Sequence, residues 1–193
     1  MKSIATRTTT APRKRGDDTR AKIIEETVRC IVEEGFPAAT AKHVAERAGV
    51  TWGVIQYHFG DRNGLLTAVV DDGVAKLVES LSAAEVSDLP LPRRIETVVD
   101  LAWDCYSSPT SMAAFEILRA TRGESSERHL LEMSDAISGL GGLISDDPAD
   151  RAVAEVIWAA LRGMVLVEMI VNQSLDWQLE RRTLVDMAVR YLS

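Results

Sequence analysis

Trp52, Gly53, Val54, Gln56 and Tyr57, following Thr51, are the residues whose types and spacing suit a chemical task, and that task is recognition rather than reaction. Gln56 can pair bidentately with adenine N6 and N7, an interaction worth about 1–3 kcal/mol of discrimination when it reaches the base. The indole of Trp52 can lie against thymine methyls or sugars and donate one hydrogen bond. Each has a plainer alternative: packing against the neighbouring turn for Trp52, a phosphate or water contact for Gln56. Groups suited to catalysis are absent. The chain has no glycine-rich phosphate loop, HExxH or nucleophile elbow, and His43, His58 and His129 are scattered. Cys30 and Cys105 sit within helical patterns at neither CxxC nor ligand spacing, so they are expected to be buried small hydrophobes. The expectation is therefore no enzyme, no cofactor and no metal.

The recognition row requires a helix, and the sequence around it supplies one. Ala41–Arg47 scans as a short helix, Ala48-Gly49-Val50 as a tight turn, and a second helix begins near Thr51. Two helices joined so closely nearly touch, and Ala45 is the small residue on which the second can press. Gly49 can adopt the left-handed backbone that closes the first helix. Val44, Ala48, Val50 and Ile55 form the inward set. Thr40 and Thr51 each precede a helix and can cap its exposed N–H groups. In a DNA-binding helix-turn-helix the start of the second helix enters the major groove.

The 193 residues can bury a substantial core, and no apolar run approaches the ~20 residues of a membrane span. The basic, polar start lacks an apolar signal region, so a cytoplasmic location is expected. A net charge of −7 hides an asymmetry: Met1–Arg62 holds 11 Lys and Arg against 8 Asp and Glu, whereas the remainder holds 11 against 21. A mildly basic head on an acidic body suits nucleic acid at one end only.

In chain order, residues 1–18 form a basic segment without apolar periodicity, expected to be disordered. Its Arg7, Arg13, Lys14 and Arg15 are able to follow phosphates or to remain a solvated tail. A first long helix spans Thr19–Glu34 and ends at Gly35, with an exit turn at Phe36-Pro37. A fourth runs from Asp61 to about Ala84; Val86–Pro92 breaks the chain; helices over Arg93–Ser107, Thr110–Arg122 and Glu127–Ile144 follow. Asp146-Asp147-Pro148 opens the next, Ala149–Asn172, and Leu175–Leu192 closes the chain. The pattern is all-α: a helix-turn-helix head over 19–64 and a helical body over 65–193, about nine helices in total.

The segment from Thr19 to about Val70 closely resembles the DNA-binding domain of the TetR family of bacterial transcriptional regulators. The resemblance rests on Gly35-Phe36, Thr40, Val44-Ala45, Ala48-Gly49-Val50, Gly53, Phe59 and the basic residue opening the next helix. It implies an all-helical homodimer that binds palindromic operator DNA, usually represses, and releases DNA when a small molecule enters the C-terminal domain. It further implies that Thr40 and Lys42 touch phosphate, that Thr51, Trp52, Gly53 and Val54 lead the recognition helix, that Tyr57 and His58 lie near the sugar-phosphate chain, and that Arg62 grips phosphate. Two positions depart from the family pattern, which often has Lys at the place of Trp52 and Tyr at that of Gln56.

Ala149–Asn172 is apolar nearly all round and carries Ala159, Ala160 and Gly163 at helical spacing, so a second copy is expected to cover one face, with Leu175–Leu192 completing a four-helix interface. Trp103, Tyr106, Met112, Phe115, Met133, Trp158 and Met164 are candidates to line a pocket for a largely apolar effector, with ordinary core packing as the alternative for each. Glu116, Arg119, Arg122 and Glu168 are possible polar contacts. Two other functions stay open: a DNA-bound interaction protein without an effector, and a helical enzyme.

Overall fold

A computed structural model describes residues 12–121, 131, 139–145, 147 and 150–193. Among these residues are eight α-helices, two short 3-10 turns and no strand. The helices are α1 (Pro12–Glu34), α2 (Ala41–Ala48), α3 (Trp52–Phe59), α4 (Arg62–Ser82), α5 (Leu91–Tyr106), α6 (Pro109–Ala120), α7 (Arg151–Val171) and α8 (Gln178–Leu192). The chain divides into two compact units, and the boundary between Ala68 and Val69 falls inside α4. None of the described helices is long and apolar enough to cross a membrane.

The first unit is built on α1. Its Ile23, Ile24, Val28 and Ile31 are buried at helical spacing. α1 begins at Pro12, seven residues before the expected Thr19, because proline suits the first helical position and the early turns carry no apolar stripe that periodicity would register. Arg7 lies outside the described residues. Gly35 ends α1 at φ 85°, and the turn Phe36–Ala38 leads to Thr40. Thr40 caps α2: its side chain accepts from the His43 backbone N–H at 3.2 Å. Gly49 closes α2 at φ 66° and donates to Ala45 and Glu46. Ile23, Val44, Ala45, Ala48, Ile55 and Leu65 form one core, with Val50, Val54 and Phe59 at its rim. Ile55 is fully buried, which contributes about 1.5–3 kcal/mol. Phe59 is half-buried against this core and lies under the Arg20 guanidinium at 5.3 Å.

The second unit has its own core. α5 packs against α6, α7 and α8, bringing Ile95, Val98, Ala102 and Tyr106 onto Ile157, Trp158, Leu161 and Val165. Arg181 of α8 donates to Asp100 of α5 at 2.8 Å and lies over the Trp103 ring at 5.2 Å. Ser108 caps α6 by accepting from Ser111, and Asn172 closes α7 in the left-handed region at φ 52°. Of the expected helix 127–144, residues 139–143 form a 3-10 turn instead, at a run containing three glycines, Gly139, Gly141 and Gly142; most of the remainder lies outside the described residues. α7 starts at Arg151, and α8 at Gln178, three residues later than its pattern suggested.

Candidate nucleic-acid interface

α3 turns one side to the core and leaves the other open. Ile55 is buried and Val54 half-buried, while Thr51, Trp52, Gly53, Gln56 and Tyr57 are exposed. Trp52 retains 46 % of its surface and Tyr57 84 %. Large aromatic side chains standing in solvent lose burial energy unless something covers them. His58 is half-buried, edge-on to Tyr57 with ring centroids 5.0 Å apart. Thr51 has the extended backbone of a cap but its side chain makes no cap hydrogen bond, contrary to expectation. Its carbonyl accepts from Val54 and Ile55 as the helix starts. The first N–H groups of α3, at its positive end, thus receive no bond from this side chain.

α2 presents Thr40 and Lys42 on its exposed first turn. Arg62 is committed locally: its Nε donates to the Ala39 carbonyl at 2.7 Å, its Nη2 to Phe36 at 3.4 Å, and its guanidinium stacks on the Phe36 ring at 4.8 Å. It ties the start of α4 to the turn that carries Thr40. Sequence reasoning missed this role, which needs two carbonyls 23 and 26 residues upstream.

Ion pairs join α1 to α2. Arg47 pairs with Glu33 at 2.7 Å, with Glu34, and with Glu26 at 3.6 Å; Glu26 also pairs with Arg29. The His43 Nε2 lies 2.9 and 3.1 Å from the two Glu34 oxygens. Partial desolvation pushes the Glu34 carboxyl up, but hydrogen bonds from His43 and Arg47 outweigh it and hold the group below the ordinary range. The same carboxylates raise the Arg47 guanidinium further.

In the body, the candidate pocket residues do not converge on one cavity. Trp103 and Met112 line a cleft of about 530 Å³ with Glu168, Met169, Leu175, Trp177 and Arg181. Tyr106 and Phe115 stack at 6.2 Å beside a void of about 20 Å³. Trp158 is fully buried in the core, and Met164 lines a separate groove with Leu179, Leu184 and Met187. Burial pushes the Tyr106 hydroxyl up to about 12. Met133 and Arg122 lie outside the described residues, and Arg119 pairs with Glu116 at 2.7 Å. Glu168 is buried and accepts from the Leu175 N–H at 2.8 Å, bracing the loop after α7. Trp177 and Arg181 were not anticipated, because only the α7–α8 turn brings them to Trp103.

A capped short helix, a left-handed glycine and a second helix with an open polar and aromatic face define a helix-turn-helix protein of all-helical build. Residues 23–69 match the family described as bacterial regulatory proteins, tetR family. The HTH-type transcriptional regulator BetI of Burkholderia cenocepacia is 35 % identical over 86 residues, 44 % of this chain and 44 % of its own length. The match thus spans less than half the length of that curated relative. The fold extends further. FadR of Bacillus subtilis, solved with stearoyl-CoA, superposes with a TM-score of 0.70 at 16 % identity over 88 % of this chain and 97 % of its own. A regulatory protein of the tetR family from Rhodococcus RHA1 gives 0.69 at 17 % identity over 89 % and 95 %. The likeness to the tetR family of bacterial regulatory proteins is thus carried by sequence over the head and by fold over the rest of the chain.

Proposed function

We propose that this protein is a ligand-responsive transcriptional regulator of the cytoplasm, most simply a repressor, which binds palindromic operator DNA as a homodimer and releases it when a small molecule occupies the body. The observation that carries this proposal is the exposed row Thr51, Trp52, Gly53, Gln56 and Tyr57 on a helix whose opposite side is packed. Gln56 reads a base, Trp52 contacts thymine methyls or sugar, and Thr40, Lys42, Tyr57 and His58 meet the backbone. Arg62 acts by holding the turn that aims Thr40, with its remaining donors free to face phosphate.

Homodimerisation follows from α7. Its Val156, Leu166, Val167, Ile170 and Val171 are exposed, and Ala159 and Gly163 on the same side allow close approach. With exposed Leu179, Met187 and Tyr191 of α8 they provide the four-helix interface. Two recognition helices about 34 Å apart then meet successive major grooves of a palindrome. The effector is assigned to the Trp103–Met112 cleft, whose Glu168 and Arg181 suit a ligand with polar groups on an apolar frame. Its coupling to DNA runs through α4, which is continuous across the unit boundary; typical allosteric couplings are about 1–3 kcal/mol.

Selection of bound sequences from a random duplex pool at moderate salt tests the operator assignment. A palindrome with half-sites about one helical turn apart is expected. Failure of folded, dimeric protein to enrich any sequence would refute it and shift attention to the body.

A further inference from the structure

Cys30 and Glu34 stand one turn apart on the same side of α1, and α2 brings His43 against them. The Cys30 sulfur, a Glu34 oxygen and a His43 ring nitrogen all lie within 4.8 Å of one another. Thiolate, imidazole and carboxylate together are the donor set of zinc. With metal–ligand bonds of about 2.0–2.3 Å, tetrahedral ligand atoms stand on the order of 3.5 Å apart, so closing this group takes roughly an ångström of side-chain movement. We propose that Cys30, Glu34 and His43 form a three-ligand site for a zinc-class divalent cation, with water as fourth ligand, which clamps α1 to α2.

The surroundings favour a cation. Arg47 holds Oε1 of Glu34, and both Glu34 oxygens lie close to the His43 Nε2, so the carboxylate is oriented toward the site by a second residue. Glu26, Glu33 and Glu34 outnumber Arg29 and Arg47, which leaves a local excess of negative charge. Burial, and then the charge of Glu34, pushes the Cys30 thiol up. On binding, a sulfur–metal bond replaces S–H and that proton leaves to solvent, while the Nε2–H that His43 donates to Glu34 gives way to an Nε2–metal bond, its proton passing to solvent as Nδ1 takes up the ring N–H. Cys30 is fully buried, but Glu34 and His43 side chains retain 37 % and 38 % of their surface and provide the entry path. None of its ligands belongs to the α3 face assigned to base contact, and His43 meets the Thr40 cap only through its backbone N–H.

Cobalt(II) is the probe, titrated into reduced, metal-free full-length protein. A thiolate-to-cobalt charge-transfer absorption that saturates at one equivalent per chain and is discharged by zinc is expected. Cys30→Ser should abolish that absorption and Cys105→Ser should retain it. His43→Asn, a change at a half-exposed side chain, should weaken cobalt binding at least about tenfold while helical circular dichroism is unchanged. Zinc should raise the unfolding midpoint of the parent and not of His43→Asn. No saturable charge-transfer band, a band that survives Cys30→Ser, or one that is lost in Cys105→Ser, would overturn the assignment.

Discussion

Gln56 and Lys42 are both exposed in the head, yet they should fail differently when replaced. Gln56→Ala should relax preference at one base position by about 1–3 kcal/mol, seen as a flattened column in competition against single-base operator variants. Equal loss on every variant would remove Gln56 from readout. Lys42→Ala should weaken all sequences alike and lower the slope of log K against log salt by about one. Arg62 belongs to neither kind. Because it binds two carbonyls and a ring, Arg62→Lys should lower the melting temperature of the protein, by about 1–2 kcal/mol in stability, since an ammonium has no planar fork. Unchanged melting would return Arg62 to phosphate contact alone. Glu34 gives a pH signature. Its carboxyl is depressed in the folded state, so its contribution is present above the ordinary carboxylate value and is lost as pH falls through the lower folded value. Melting midpoints of the parent and Glu34→Gln should therefore converge on acidification. The residue types of this face were legible in the sequence; the partners of Arg62 and Glu34 were not, because they come from other helices.

At the scale of elements, the turn into α4 is the tightest point. A Cβ on Gly64 would sit 2.0 Å from the Phe59 carbonyl oxygen, a backbone atom that cannot swing away. Gly64→Ala should cost about 3 kcal/mol or more and disorder the α3–α4 junction, measurable by denaturant unfolding. Gly53 is the contrast within α3: its nearest neighbour for a Cβ is Thr51 Oγ1 at 3.7 Å, an ordinary contact. Gly53→Ala should stabilise the head by roughly 0.5–1 kcal/mol, and any loss of operator affinity would then report on the DNA contact rather than the fold. Caps and breakers made α2, α3 and their turn readable to within a residue, since Thr40, Gly49 and Val50 act through their immediate neighbours. Thr51 reads equally well as a cap but makes no side-chain bond, because capping also needs a side-chain orientation that residue type does not fix. The first turns of α1 escaped notice because a helix without a buried stripe has no period to detect.

For the whole molecule, the decisive prediction concerns a second copy. Leu166 is 43 % exposed on α7, so Leu166→Glu should leave each chain folded while shifting sedimentation from dimer to monomer and reducing operator affinity about a hundredfold or more. A variant that stays dimeric would place the interface elsewhere. The all-helical class and the helix-turn-helix were legible along the chain, because periodicity, capping and glycine conformation are local and act within four or five residues. The sequence by itself also marked α7 as apolar on more than one side. Only the tertiary structure decided that Arg62 fastens the Phe36–Thr40 turn, that Trp103 and Arg181 share a cleft while Trp158 lies in the core, and that Cys30, Glu34 and His43 meet. Those meetings depend on how α1 packs on α2 and α5 on α8, and helix packing is set by the summed shape of many side chains rather than by any spacing along the chain.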